Sequence, residues 1–233
     1  MTRSLALELC RVPDFSRARE RMVEIQIARR GIRDSRVLDA MQAVPRELFV
    51  EPGFEALAYE DGPLPIEASQ TISQPYIVAF MIEAAELKPT ARVLEVGAGS
   101  GYATAVMSRI VERVYGIERH AVLVEAAQRR IAKLGYDNVE LRVGDGTCGW
   151  PQAAPFDAIL VAASGPEVPQ ALKEQLVIGG RLLIPVGAQR FRQTLRKITR
   201  LSEAAYQEED LGGVAFVPLI GEHGWLKTDG VDR

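Results

Sequence analysis

The 233 residues, 47% apolar and 25% charged with a formal charge of −3, suit one globular α/β domain and lack the basic surface that nucleic-acid binding demands. No apolar run approaches the ~20 residues that span a bilayer, and the opening stretch is broken by Glu8 and Arg11 before it reaches export-signal length. Two cysteines, Cys10 and Cys148, are too few for a disulfide framework or a structural zinc cluster, so no metal and a reducing, cytoplasmic setting are expected.

From Phe15 to about Val44 apolar residues recur at helical spacing, with a break at Gly31 and a capping residue, Asp34, before the second segment. The basic stretches 17–21 and 189–200 intersperse apolar residues and read as solvated faces of a helix and a strand. Residues 44–75 carry Pro45, Pro52, Pro63, Pro65 and Pro75, a density that favours turns and extended backbone over regular elements. The aromatic and aliphatic content there (Phe49, Phe54, Leu57, Tyr59, Leu64, Ile66) argues against disorder and predicts a connection docked on the surface.

The chain then alternates. Helices are predicted over 76–87, 102–111, 121–135 and 168–176, and strands over 92–97, 113–118, 139–145, 156–163 and 180–187. Such alternation implies βαβ units and a doubly wound, Rossmann-like, mostly parallel sheet. The unbroken apolar run at 158–163 fits a central strand covered on both faces. Later segments at 194–201, 204–210 and 214–220 read as strands, adding an antiparallel hairpin to the sheet edge. One domain is expected: N-terminal helices and an active-site loop (1–75), a cofactor-binding core (76–190), and C-terminal edge strands with a tail (191–233).

The strongest motif is LEVGAGSGY, residues 94–102. Gly97, Gly99 and Gly101 fall between a strand and a helix, where backbone turns tightly and approaches a ligand without an intervening Cβ. The third glycine comes one position too early for a dinucleotide fingerprint, and Tyr102 occupies the place that fingerprint reserves for glycine. A glycine loop of this spacing, preceded by Glu95, resembles motif I of class I S-adenosylmethionine-dependent methyltransferases, where an acid suits the cationic amino-acid end of the cofactor. Glu118 ends the next strand about 20 residues on, where a carboxylate can accept ribose hydroxyls. Asp145, ending the third strand, is placed to take an adenine amino group. Three carboxylates at the ends of three successive strands converge on one crevice.

A run of small hydroxyls and amides, SQTISQPY (69–76), precedes this core. Pro75 suits the first turn of a helix, leaving Ser73 or Gln74 at its cap, where free N–H groups and the helix dipole favour an anion. Together with VLEVGAGSGY, GDG, PFDAILVAA, LKEQLVIGGRLLIPVG and FVPL in this order, QTISQPY resembles the protein-L-isoaspartate (D-aspartate) O-methyltransferase family from about Asp34 to Leu219. The resemblance implies methyl transfer from S-adenosylmethionine, which leaves as S-adenosyl-L-homocysteine, to isoaspartyl or D-aspartyl carboxylates of damaged proteins, the first step of their repair. It places Ser73 beside methyl donor and substrate, as the catalytic residue. Cofactor contacts are implied from Ile72, Ser73, Glu95, Gly97, Ala98, Gly99, Ser100, Gly101, Glu118, Arg119, Asp145 and Gly146, and a substrate wall from residues 162–172.

No general base is required, because an aspartyl-type carboxylate with a pKa of ~3.9 is already ionised at neutral pH. His120 and His223, the two histidines, accordingly read as structural. The chain departs from the family where Glu67, Ala68 and Ser69 stand in place of a usual Gly-x-Gly, adding a negative charge near the loop. A methyltransferase of the same fold with another substrate, and a cofactor-binding adaptor without transferase activity, are the alternative readings. Membrane association is not expected, and the sequence leaves oligomeric state open.

Overall fold

A computed structural model describes residues 14–189 and 192–226. Cys10, the opening stretch, the middle of the basic run at 190–191 and the end of the tail lie outside the described residues. The N-terminal segment begins with α1 (Phe15–Arg21), capped by the Asp14 carboxylate accepting from the Arg17 amide, and continues through a π-turn at Met22–Ile27. Gly31, in the left-handed region, ends it. Helix α2 (Ser35–Ala43) starts at Asp34, as the capping pattern predicts; the Arg36 side chain and amide hold that carboxyl below its usual range against the opposing effect of burial.

The proline-rich connection is more regular and more deeply seated than its composition suggests. Phe49 and Ile66 are buried, and the Tyr59 hydroxyl donates to Glu47. The segment also contains an antiparallel hairpin, β1 (Leu64–Ile66) against β2 (Gln70–Ile72), so part of the predicted hydroxyl loop is a strand. The physical reason is alternation: Ile66 and Ile72 point inward while Pro65 and Thr71 are exposed.

Helix α3 (Pro75–Ala84) follows with Gln74 at its cap and Pro75 in its first turn; it stops short of the predicted 87, and Glu86 adopts a left-handed conformation. The core sheet comprises β3 (Arg92–Val96), β4 (Arg113–Glu118), β5 (Val139–Val143), β6 (Phe156–Val161), β7 (Leu176–Gln189), β8 (Arg192–Arg200) and β9 (Tyr206–Val214), in the order β5-β4-β3-β6-β7-β8-β9. Strands β5 to β7 of this order are parallel, while β8 and β9 add antiparallel edges. Helices α4 (Tyr102–Ser108), α5 (Ala121–Lys133) and α6 (Gln170–Glu174) connect them. One apolar cluster lies between a sheet face and the N-terminal helices with α3, α4 and α5; a second, around Phe156, Leu172 and Trp150, covers the other face. No described helix is long and apolar enough to cross a membrane.

The predicted strand at 214–220 does not form. Val214 ends β9, and beyond it the chain leaves the edge and pairs with the segment that follows β6: the Ser164 amide donates to the Val217 carbonyl at 2.8 Å and the Leu219 amide to the Ser164 carbonyl at 2.8 Å. Pro218 lacks the N–H a strand would need, and Phe216 is held through both its backbone groups by the Gln193 side chain. The solvated basic face is observed on β8, where Arg196 pairs with Glu208 and Lys197 with Glu86.

Candidate active site

The chain runs β3, β4, β5 outward in one direction and then returns to place β6 on the other side of β3. A crevice opens at that reversal, beyond the strand C-termini, where open α/β sheets bind ligands. This cleft is walled by the glycine loop, the β1–β2 hairpin and the chain at 217–220.

Its floor is the glycine loop. The Gly97 and Ala98 amides both donate to the Ile117 carbonyl, at 2.8 and 3.2 Å, pulling the loop across the end of β4. Gly97, Ala98, Gly99 and Ser100 line the cleft; Gly101 does not, contrary to expectation. Gly101 instead takes φ +87° at the start of α4, and a Cβ there would meet that of Ala127 on α5 at 3.1 Å, so its role is helix packing.

Two acids face the cleft. Glu95 is 2% exposed and accepts from the Thr104 hydroxyl. Burial, reinforced by the nearby Glu118 charge and opposed by the Thr104 bond, pushes its pKa up to about 8. Glu118 accepts from the Gly99 amide at 3.1 Å and the His120 amide at 3.0 Å, which fixes the carboxylate at the end of β4 with lone pairs to spare. Arg119 lines the cleft next to it. Two inward acids, both buried, form a donor set suited to a cationic ligand that also carries hydroxyls.

Asp145 stands at the rim. Its Oδ1 accepts from the Thr147 amide (2.9 Å) and hydroxyl (2.6 Å), and its Oδ2 from the Glu222 amide (2.7 Å). Burial works against ionisation, but these bonds prevail and hold the carboxyl below its ordinary range. Its neighbour Gly146 reaches the cleft, as predicted; Asp145 itself is absent from the lining and anchors the returning chain. That return supplies Val217, Pro218, Leu219 and Ile220 to the wall, contacts that the motifs do not assign. The signal available in the sequence is the stretch FVPL (216–219), whose Pro218 interrupts the apolar run of 214–220 as a strand.

The roof is the β1–β2 hairpin. Gln70, Thr71, Ile72 and Ser73 line the cleft, and a Cβ on Gly99 would touch Ile66 at 3.4 Å, so the flap rests directly on the glycine loop. Glu67 turns away from both openings: its Oε1 accepts from Arg130 at 3.2 Å, and the same guanidinium donates to the Ser100 carbonyl at 3.4 Å. One arginine thus ties the flap to the loop beneath. Ala68 and Ser69 both sit at left-handed φ, +58° and +55°, a conformation that costs an L residue ~1–2 kcal/mol.

Ser73 and Thr71 belong to two openings at once. Besides the cleft, they border an outer groove walled by Pro63, Gln74, Arg192 and residues 213–217. Ala162 lines both spaces, but 164–172 line neither, so the predicted substrate wall shrinks to its first residues. Ser164 and Gly165 instead pair with the returning chain and with β7. Among the histidines, the His120 amide caps Glu118, while His223 lies on the far side of the Asp145 turn.

Strand order, glycine loop and paired acids define a class I S-adenosylmethionine-dependent methyltransferase. The family model for protein-L-isoaspartate(D-aspartate) O-methyltransferase (PCMT) matches residues 17–224, and the chain belongs to this family. It is 58% identical over 207 residues to protein-L-isoaspartate O-methyltransferase 2 of Pelobacter propionicus, covering 89% of this chain and 92% of the relative. Against the Brucella anthropi protein-L-isoaspartate O-methyltransferase it is 54% identical, covering 91% of this chain and 97% of the relative. A solved protein-L-isoaspartate O-methyltransferase superposes with a TM-score of 0.81 at 31% identity, over 88% of this chain and 67% of that one. The Plasmodium falciparum PCMT, crystallised with S-adenosyl-L-homocysteine, gives 0.76 at 29% identity, over 87% and 98% respectively.

Proposed function

We propose that this chain methylates the side-chain or main-chain carboxylate of isoaspartyl or D-aspartyl residues in damaged proteins, with S-adenosylmethionine as donor. The observation that carries the assignment is the position of Ser73, on the partition between the acid-lined cleft and the outer groove. A methyl donor in one space and a carboxylate in the other would meet there. Family membership and relatives of the same name across nearly the whole chain support the substrate class.

In this reading Glu95, Glu118 and Arg119 hold the cofactor together with Ile72, Ser73 and the loop Gly97–Ser100, while Gly146 and Ile220 supply the wall behind Asp145. When bound, S-adenosylmethionine supplies a methyl group on a sulfonium sulfur and leaves as S-adenosyl-L-homocysteine. The remaining work is done by the chain. The hydroxyls of Ser73 and Thr71 and the free N–H groups at the start of α3 orient a substrate carboxylate without protonating it. The flap, tied down through Glu67 and Arg130, keeps water from the meeting point, so alignment rather than acid–base chemistry provides most of the acceleration. Because Glu67 lines neither opening, its charge leaves the substrate entrance clear.

An extended peptide fits the groove between the flap and residues 213–217. The unpaired thiol of Cys148 suits a cytoplasmic setting, and the acidic balance of the whole chain supports a protein rather than a nucleic-acid partner. The test is a methyl-transfer assay on an isoaspartyl peptide and its normal aspartyl twin. Transfer confined to the isoaspartyl peptide is expected; equal transfer to both, or to neither while cofactor binds, would overturn the assignment.

A further inference from the structure

Behind the cleft wall, on the solvent side of the Asp145 turn, three metal-binding side chains meet: Cys148, Glu222 and His223. Their candidate donor atoms, a thiol sulfur, a carboxylate oxygen and an imidazole nitrogen, all lie within 4.8 Å of one another. Cys148 Sγ approaches a Glu222 oxygen at 3.8 Å, across 74 residues of sequence.

We propose that Cys148, Glu222 and His223 form a binding site for a zinc-class divalent cation that staples the returning chain to the turn carrying Gly146. Four-coordinate zinc, with bonds of ~2.0–2.3 Å, spaces its donors roughly 3.3–3.8 Å apart. The trio's donors already lie within 4.8 Å of one another, and closing to that spacing falls to Glu222 and His223, whose side chains are exposed. The backbone is already fixed on both sides. The Glu222 amide donates to Asp145 Oδ2 at 2.7 Å, the His223 amide to Thr147 Oγ1 at 3.1 Å, and the Thr147 amide to Asp145 Oδ1 at 2.9 Å. Trp225, whose Nε1 donates to the Ser164 carbonyl at 2.9 Å, pins the segment from its other end.

The chemistry selects the ion. A thiolate and an imidazole favour zinc over magnesium or calcium, which take oxygen donors. Thiolate, carboxylate and neutral imidazole carry two negative charges, which a divalent ion cancels. Coordination forms one bond each to sulfur, oxygen and nitrogen, releases the Cys148 thiol proton to solvent and changes no oxidation state; water completes the fourth position. None of the three donors lines the cleft, so the ion acts as a clamp and takes no part in methyl transfer. Gly146 and Ile220, each two residues from a donor, do line it. The ion and a cofactor therefore favour the same closed wall, and each raises the affinity for the other by an equal factor.

The test is calorimetry of zinc chloride with the reduced full-length chain, alongside cobalt substitution read through its thiolate charge-transfer absorption. One ion per chain is expected, with affinity falling at least ~10-fold in Cys148→Ser and in His223→Gln, and with the cobalt band lost in Cys148→Ser but kept in Cys10→Ser. Retained binding of S-adenosyl-L-homocysteine by each variant verifies its fold. Zinc affinity unchanged by both substitutions, or a cobalt band that survives Cys148→Ser, overturns the site. Zinc that binds through the trio but leaves S-adenosyl-L-homocysteine affinity within twofold overturns the coupling, where a gain of ~5-fold or more is expected. Because zinc binding is read without any methyl acceptor, its failure is distinguishable from failure of the proposed activity.

Discussion

Glu95 lends itself to a quantitative test. Burial first, and the Glu118 charge second, push its pKa up to about 8 in the free protein despite the Thr104 bond. A cation entering the cleft favours the ionised carboxylate, so ligand binding and proton release are linked. With the free-protein value at about 8, ~90% of the carboxyl is protonated at pH 7, and titration with S-adenosylmethionine should release ~0.9 proton per ligand. If only the ionised form binds, apparent affinity rises ~50-fold between pH 6 and pH 8. Calorimetry in buffers of different ionisation enthalpy measures the released proton directly, and Glu95→Gln, neutral at every pH, should show none and a flat affinity profile. The same raised pKa sets the pH dependence of stability without ligand. A carboxyl whose folded pKa is raised contributes stability that is complete below about 4.5 and is lost as pH rises through about 8. Glu95→Gln should thus outlast the wild type at pH 9 by a few kcal/mol, since each tenfold difference in proton affinity between the folded and unfolded chain is worth ~1.4 kcal/mol. Proton release at pH 7 that is equal in wild type and Glu95→Gln would refute the reasoning.

Three further outcomes are expected. Ser73→Ala should lower kcat for an isoaspartyl peptide by ~10-fold or more, the worth of one hydrogen bond to a charged group, while S-adenosyl-L-homocysteine affinity measured by calorimetry changes less; equal losses in both would remove its substrate-side role. Ala68→Gly relieves a left-handed Cβ and should raise the melting temperature by ~2–4 °C for a gain of about 1 kcal/mol, and a drop of several degrees in thermal denaturation would show that the hairpin turn is not strained. Asp145→Ala frees the Glu222 amide, so hydrogen exchange there should accelerate and S-adenosyl-L-homocysteine affinity fall together; exchange that accelerates with affinity intact would separate the anchor from the cleft.

The parallel core is legible because its signals are local. The β-branched strand before the glycine loop and the apolar run at 158–163 each announce a covered strand, and the acids follow at their ends. Glu95, Glu118 and the loop Gly97–Ser100 consequently fall in the expected crevice. The illegible parts depend on contacts distant in sequence. The pairing of Leu64 with Ile72 is set by burial of Ile66 and Ile72 against the core, which proline density conceals. The return of 217–225 depends on Ser164 and Asp145, more than 50 residues earlier, and no periodicity encodes such partners. Asp145 stands out by its place at a strand end, yet its hydrogen bonds go to the tail and to Thr147. Gly101 reads as ligand-facing from its motif, yet it serves the fit of α4 against α5.

Residues 217–220, which finish the wall, are synthesised after all seven strands of the core sheet. A nascent chain can therefore complete its βαβ frame on the ribosome while the pocket still lacks one side. A nucleoside ligand would meet the full set of walls only once residues 217–220 have emerged, so its occupancy would report on how far the nascent pocket has been built as well as on folding.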